Sequence, residues 1–181
     1  MSIAVINGGT RTNGNTELLT KKVIQGQDAE TIHLKEYHIQ SIEDLRHTET
    51  GFPSIADDYD SIIERILPHD TLIFATPIYW YGMTGTLKIF IDRWSQTMRD
   101  RHYPDFKEKL AAKQAYVVAV GGDQPRIKGL PLIQQFAYIF SFFGISFGGY
   151  VLGEGNKPGD ILEDQQALHI ASGLLNGSAI R

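Results

Sequence analysis

The chain has 181 residues, a formal charge of −4 and 42% apolar residues, which suits one domain, residues 1–181, with a sizeable core. It has no cysteine, so disulfides, thiolate catalysis and iron–sulfur clusters are excluded, and mild acidity without a basic block argues against nucleic acid as a partner. No apolar run has the length of a membrane span and no signal-peptide pattern precedes the first strand, so the expected location is cytoplasmic, with no membrane partner.

The apolar run Ile3-Ala4-Val5-Ile6 predicts a first strand over 3–7. The loop Asn7-Gly8-Gly9-Thr10-Arg11-Thr12-Asn13-Gly14-Asn15-Thr16 follows, and the spacing of Leu18-Leu19 and Val23-Ile24 predicts a helix over 15–25. Strand, polar glycine loop, helix is how α/β proteins build an anion site: glycines turn backbone N–H groups inward and the helix N-terminus adds positive potential. Thr10, Thr12, Asn13, Asn15 and Thr16 add side-chain donors. Gly9 and Gly14 have Walker A spacing, but Asn15 stands where that motif requires lysine, so the outer phosphates of a triphosphate have no partner. The spacing of Gly8, Gly9 and Gly14 also fails the dinucleotide fingerprint G-x-G-x-x-G. A single terminal phosphate, such as that of FMN, fits better. The alternative is a glycine-rich turn that only caps a helix.

A second strand is predicted over 30–34, then a polar excursion over 35–53 that suits a lid, an oligomer contact or a plain surface insertion. Ser54 and Asp57-Asp58 suit the start of a helix over 55–67, which Pro68 ends. The third strand, 71–75, and the fourth, 115–121, are nearly continuous apolar runs, as in parallel sheets covered on both faces. Helices are predicted over 82–95, 131–143 and 159–175, and a fifth strand over 146–152. The alternation βαβαβαβαβα makes a doubly wound parallel sheet with helices on both faces. With five strands in the order 2-1-3-4-5, the ligand site lies at the loops after the first, third and fourth strands.

The loop after the third strand carries Pro77, Ile78 and three consecutive aromatics, Tyr79, Trp80 and Tyr81. At a switch point these offer flat apolar area and polar tips to a planar heterocycle. Packing under the helix or a subunit contact is the plainer role, and some of each is expected. Gly121 and Gly122 let a flat ligand approach the backbone; Asp123 either bonds a ribityl hydroxyl or caps a turn.

These residues carry a resemblance. Gly8 through Glu17, and Ala75 through Lys88 with Phe90-Ile91-Asp92-Arg93-Trp94, resemble the NAD(P)H-dependent FMN reductase group of the flavodoxin-like superfamily. The second block follows that group's pattern P-x-Y-x-x-x-[MV]-[ST]-G-x-[LM]-K-x-F-[IL]-D-R closely. The resemblance implies a flavodoxin-like fold, bound FMN, NADPH or NADH as co-substrate, and a small-molecule acceptor such as a quinone, nitroaromatic, azo compound or free flavin. It places the phosphate on Thr10, Thr12, Asn13, Asn15 and Thr16. Ribityl and ring contacts fall on Pro77, Ile78, Tyr79, Trp80 and Tyr81, then Gly121, Gly122 and Asp123. It implies ping-pong transfer with no essential acid–base side chain. Some relatives carry a cysteine cluster after the second strand; here the excursion holds His47-Thr48-Glu49 and no cysteine. The alternative is a flavodoxin-type electron carrier without nicotinamide turnover, but such carriers are usually strongly acidic.

The six histidines form no i,i+4 metal pair. Lys88 and Asp92, four apart, suit a helix ion pair. The segment 98–109 suits an acceptor or nicotinamide contact or a solvated connection. Arg126 and Lys128 are candidates for the extra phosphate of NADPH. Phe136, Tyr138, Ile139, Phe140, Phe142 and Phe143 exceed one core face, so a homodimer or homotetramer is expected.

Overall fold

The computed structural model describes residues 2–177. Strands β1 (Ile3–Asn7), β2 (Ala29–His33), β3 (Thr71–Pro77), β4 (Gln114–Gly121) and β5 (Ser146–Glu154) form one parallel sheet in the order β2-β1-β3-β4-β5. The order predicted from the sequence is the one observed, and the fold is flavodoxin-like. Helices α1 (Asn15–Val23), α2 (Tyr59–Ile66), α3 (Gly85–Asp92), α4 (Trp94–Thr97), α5 (Phe106–Ala111), α6 (Pro125–Lys128) and α7 (Leu130–Phe143) lie between the strands, and α8 (Gln165–Gly173) follows β5. None is long and apolar enough to cross a membrane.

Alternation along the strands sends side chains to both faces, and both are covered. On β1, Ala4 and Ile6 join one cluster with Ile62 and Ile66 of α2, Phe90 of α3 and Phe136 and Phe140 of α7. Ile3 and Val5 join the other, with Leu19 and Val23 of α1 and Ala167 and Ala171 of α8. That is why the central strands read as unbroken apolar runs. The larger cluster centres on Trp94, whose ring stands edge-on to Phe74, Phe90, Phe106 and Phe143.

Several boundaries differ from those predicted, each for a local reason. The second helix starts at Tyr59, not at 55, because Asp57 and Asp58 turn back to the excursion: Asp57 accepts from the Gln40 N–H at 2.8 Å and Asp58 from the His38 N–H at 2.7 Å. The third starts at Gly85, not at 82, because Tyr79 to Gly82 forms a tight turn and Thr84 caps the helix. The last is divided: a 3-10 turn over Asp160–Glu163 precedes α8, and the Asp164 carboxylate accepts from the Ala167 N–H at 3.0 Å. Part of the segment 98–109 is helical, as α5.

Candidate functional site

The carboxyl ends of β1, β3, β4 and β5 surround a cavity of about 230 Å³. Its wall takes Asn7, Gly9, Thr10 and Arg11 from the first loop, then Gly14, Asn15, Thr16 and Glu17 from the start of α1. Pro77, Ile78 and Tyr79 come from the third strand's end, Val120, Gly121 and Gly122 from the fourth, and Gly155 and Asn156 follow the fifth. Backbone bonds tie these loops together: the Ile78 N–H donates to the Val120 carbonyl at 2.8 Å, and the Gly155 N–H to the Gly121 carbonyl at 3.0 Å.

The first loop is held open by specific contacts. The buried Asn7 carboxamide accepts from the Gly9 N–H at 2.7 Å and lies 3.3 Å from Nδ1 of His33. The Gly8 N–H donates to the Ala75 carbonyl at 2.8 Å, and its carbonyl accepts from the Thr84 hydroxyl at 3.0 Å. A Cβ on Gly8 would lie 2.7 Å from the Thr84 hydroxyl oxygen and 2.9 Å from the Leu87 Cβ, so only glycine fits there. Gly14 opens α1 without a side-chain cap, so the first-turn N–H groups are left to solvent or a ligand, as an anion site requires. Arg11 adds a cation to the wall and has no ion-pair partner within 4.0 Å among the described residues.

Glu17 places an acid in the first turn of α1, on the same cavity wall. Burial would push its carboxyl up, but Lys21 and the Asn13 N–H outweigh burial and hold it below the usual range. Its charge is directed at Lys21, 2.8 Å away.

The residues expected to touch a cofactor divide into three groups. Thr10, Asn15, Thr16, Pro77, Ile78, Tyr79, Gly121 and Gly122 line the larger cavity. Trp80, Tyr81 and Asp123 line a smaller one of about 140 Å³, which shares Ile78, Gly121 and Gly122 with the first. Thr12 and Asn13 line neither: the Thr12 hydroxyl accepts from Lys35 Nζ at 2.7 Å, and the Asn13 carboxamide oxygen from Lys21 Nζ at 3.0 Å. Asn15 reaches the wall, but its carboxamide also pins the loop after β5, accepting from the Gly159 N–H and donating to the Lys157 carbonyl, both at 2.8 Å.

Arg126 pairs with Asp164 and stands 3.6 Å from Glu154, while Lys128 holds Asp123 at 2.7 Å, so both cations already face carboxylates. Among the described residues no cluster of three His, Asp or Glu side chains is placed to hold a metal.

Sequence reasoning passed over Asn7, Arg11, Glu17, Gly155 and Asn156 on the wall. Arg11 was recoverable, being a cation inside a phosphate-type loop. Gly155 and Asn156 follow from extending the strand-end rule to the fifth strand. Asn7 had no signal, because its role depends on the geometry of Gly9.

Residues 1–146 match the profile described as NADPH-dependent FMN reductase. The chain is 68% identical over 178 residues, 98% of each chain, to the putative NAD(P)H-dependent FMN-containing oxidoreductase YwqN of Bacillus subtilis. It is similar in structure to the Trp repressor binding protein of Bacillus subtilis, with a TM-score of 0.81 at 62% identity, over 96% of this chain and 97% of that one. An FMN-dependent NADH-azoreductase from Bacillus anthracis in complex with FMN shares the fold, with a TM-score of 0.61 at 15% identity, over 96% of this chain and 99% of that one.

Proposed function

The chain belongs to the NADPH-dependent FMN reductase family, and on that premise we propose that the larger cavity seats FMN at the carboxyl end of the sheet. The protein is an FMN-dependent NAD(P)H oxidoreductase that acts on a small-molecule electron acceptor. When bound there, FMN would supply the two-electron redox chemistry between NAD(P)H and the acceptor.

The observation that carries the seat is the uncapped N-terminus of α1 beside Thr10, Arg11 and Thr16 on one cavity wall. Those groups suit a dianionic phosphate, by helix dipole, hydroxyl donors and one guanidinium. Asn15 supports the wall by holding the loop that carries Asn156. The ribityl chain and ring fall to Pro77, Ile78, Tyr79, Gly121 and Gly122, with Trp80, Tyr81 and Asp123 at the far rim. Thr12 and Asn13 then shape the loop and hold Lys35 and Lys21 beside it. In this reading no side chain acts as an essential acid or base; the chain's work is to position both substrates and exclude water.

The same reading takes residues 1–181 as one FMN-binding domain working in the cytoplasm, which suits a chain without cysteine. It also takes the protein as a homodimer or homotetramer. Support comes from the outer face of α7 and its approach, where Ile127, Leu130, Tyr138 and Phe142 are exposed.

The test is steady-state NAD(P)H oxidation by the FMN-reconstituted protein with a quinone as acceptor. Turnover that stops when FMN is withheld is expected. FMN binding without turnover on either NADH or NADPH would point to an electron carrier instead.

A further inference from the structure

Residues 155–160 pass across the start of α1, at the phosphate end of the FMN seat. They run from the end of β5, where Leu152 is buried, to the buried Ile161, and Asn156, Lys157 and Pro158 between them are exposed. No apolar side chain of this stretch is buried, so polar contacts have to hold it.

Two side chains supply those contacts. The Asn15 carboxamide donates to the Lys157 carbonyl at 2.8 Å and accepts from the Gly159 N–H at 2.8 Å and the Ile161 N–H at 3.5 Å. Its partners lie 142 to 146 positions away in sequence, so the carboxamide serves the loop after β5 and not α1. The chain passes so near that a Cβ on Gly155 would lie 2.8 Å from Asn15 Nδ2. The Asp160 carboxylate accepts from the Lys157 N–H at 2.7 Å and the Asn156 N–H at 3.0 Å, closing the stretch on itself. Those N–H groups, that of Lys157 first, hold the Asp160 carboxyl below its ordinary range, so this brace is charged at neutral pH.

We propose that residues 155–160 are a strap closed over the phosphate end of the flavin seat, that Asn15 is its latch and not a phosphate ligand, and that opening of the strap sets the rate at which FMN exchanges. The inference rests on the FMN seat above and adds the contacts that keep the flavin in place between turnovers. Asn15 and Asp160 are positioning residues: both act through the strap backbone, which carries Asn156 to the cavity wall.

Two signatures separate a latch from a ligand. Loss of a phosphate ligand raises the release rate and the Kd together, whereas loss of a latch speeds entry and exit alike and moves the Kd less. Charge gives the second. Removing a carboxylate near a dianionic phosphate relieves repulsion and slows release, while removing the brace of the strap speeds it. Asp160→Ala does both, so the sign of its effect shows which one governs. Asp160→Asn removes the charge but keeps an acceptor for the two N–H groups.

The probe is isotope-labelled FMN, added in excess to the FMN-loaded protein, with replacement of the bound flavin followed over time. Asn15→Ala and Asp160→Ala are each expected to speed exchange about tenfold, the scale of one to two net hydrogen bonds, and Asp160→Asn by no more than about threefold. The Kd of the apoprotein for FMN is expected to stay within about threefold of wild type in all three. Alanine is the better helix former, so Asn15→Ala keeps the start of α1, and Asp160→Ala tests the strap from outside that helix. Unaltered exchange in Asn15→Ala would overturn the proposal and leave the FMN reading intact. A Kd that rises in proportion to the exchange rate in Asn15→Ala would overturn it by making Asn15 a phosphate ligand. Exchange that is unchanged or slower in Asp160→Ala would also overturn it. A wild-type protein that takes up no FMN would overturn both readings.

Discussion

The hydroxyl of Thr84 donates to the carbonyl of Gly8 at 3.0 Å, joining the loop after the first strand to the loop after the third. The same oxygen accepts from the Leu87 N–H at 3.4 Å, and the Thr84 N–H donates to the Thr76 hydroxyl at 3.1 Å. One buried side chain therefore caps α3 and fixes the loop after β1 against the loop after β3. Thr84→Val keeps the shape but removes the cap and leaves the Gly8 carbonyl without its donor. A loss of about 1–3 kcal/mol in stability is expected, read by denaturant unfolding. FMN affinity should fall with it, because the two loops lose their common anchor.

On the proposed seat, Arg11 meets the phosphate and not the rest of the ligand. Arg11→Gln should weaken FMN by about 1.5–3 kcal/mol, the range for a hydrogen bond to a charged group. Riboflavin has the same ring and ribityl chain without the phosphate, so its affinity should change little. Parallel titrations of the two flavins check this; an equal loss for both would remove Arg11 from the phosphate.

Arg93 and Asp57 form an ion pair at 2.6 Å with both side chains 1% exposed, and the guanidinium also donates to the Gln40 carbonyl at 3.1 Å. This pair anchors the polar excursion to the end of α3. Asp57→Asn leaves the guanidinium buried without its counterion and should cost about 3–5 kcal/mol. Burial would raise the Asp57 carboxyl, but the Gln40 N–H, Arg93 and the Tyr59 N–H together hold it low. A carboxyl lowered on folding stabilises the fold above its unfolded pKa, about 3.9, and loses that stabilisation as pH falls through the lower folded value. Unfolding followed from pH 7 down to pH 2 should therefore show an acid-side loss of stability in the wild type that is smaller in Asp57→Asn.

The outer face of α7 and its approach should decide the assembly state. Tyr138→Glu with Phe142→Glu places charge on the far half of its exposed apolar stripe and should shift the protein to monomer in light scattering. The same substitutions lie far along the helix from the sheet's carboxyl end, so FMN should still bind. An unchanged mass would move the interface elsewhere.

The doubly covered parallel sheet was legible because β3 and β4 carry nearly continuous apolar runs, and its order because five alternating strands follow the doubly wound rule. Thr10, Thr16 and the Pro77–Tyr79 stretch were legible as cavity-lining residues because they sit in the loops after β1 and β3 or in the helix turn that follows, where the fold presents them. Helix starts were less so. Asp57 and Asp58 look like capping residues in one dimension, yet in three they serve Arg93, Gln40 and His38, and that competition is decided by contacts far apart in sequence. Thr12 and Asn13 share the composition of a phosphate loop with Thr10 and Thr16. The left-handed backbone of Asn13, φ 52°, turns this part of the loop to solvent, and the Asn13-Gly14 pair is the residue-type signal of that turn. The separation of Trp80 from Tyr79 has the same origin in a two-residue turn.

The most direct measurement is an anaerobic titration of the FMN-reconstituted protein with NADPH, followed by visible absorption. One FMN per chain, bleached by about one equivalent of NADPH and restored by a quinone, is the predicted result. A chain that retains no FMN after reconstitution would contradict the assignment of the larger cavity as the flavin seat.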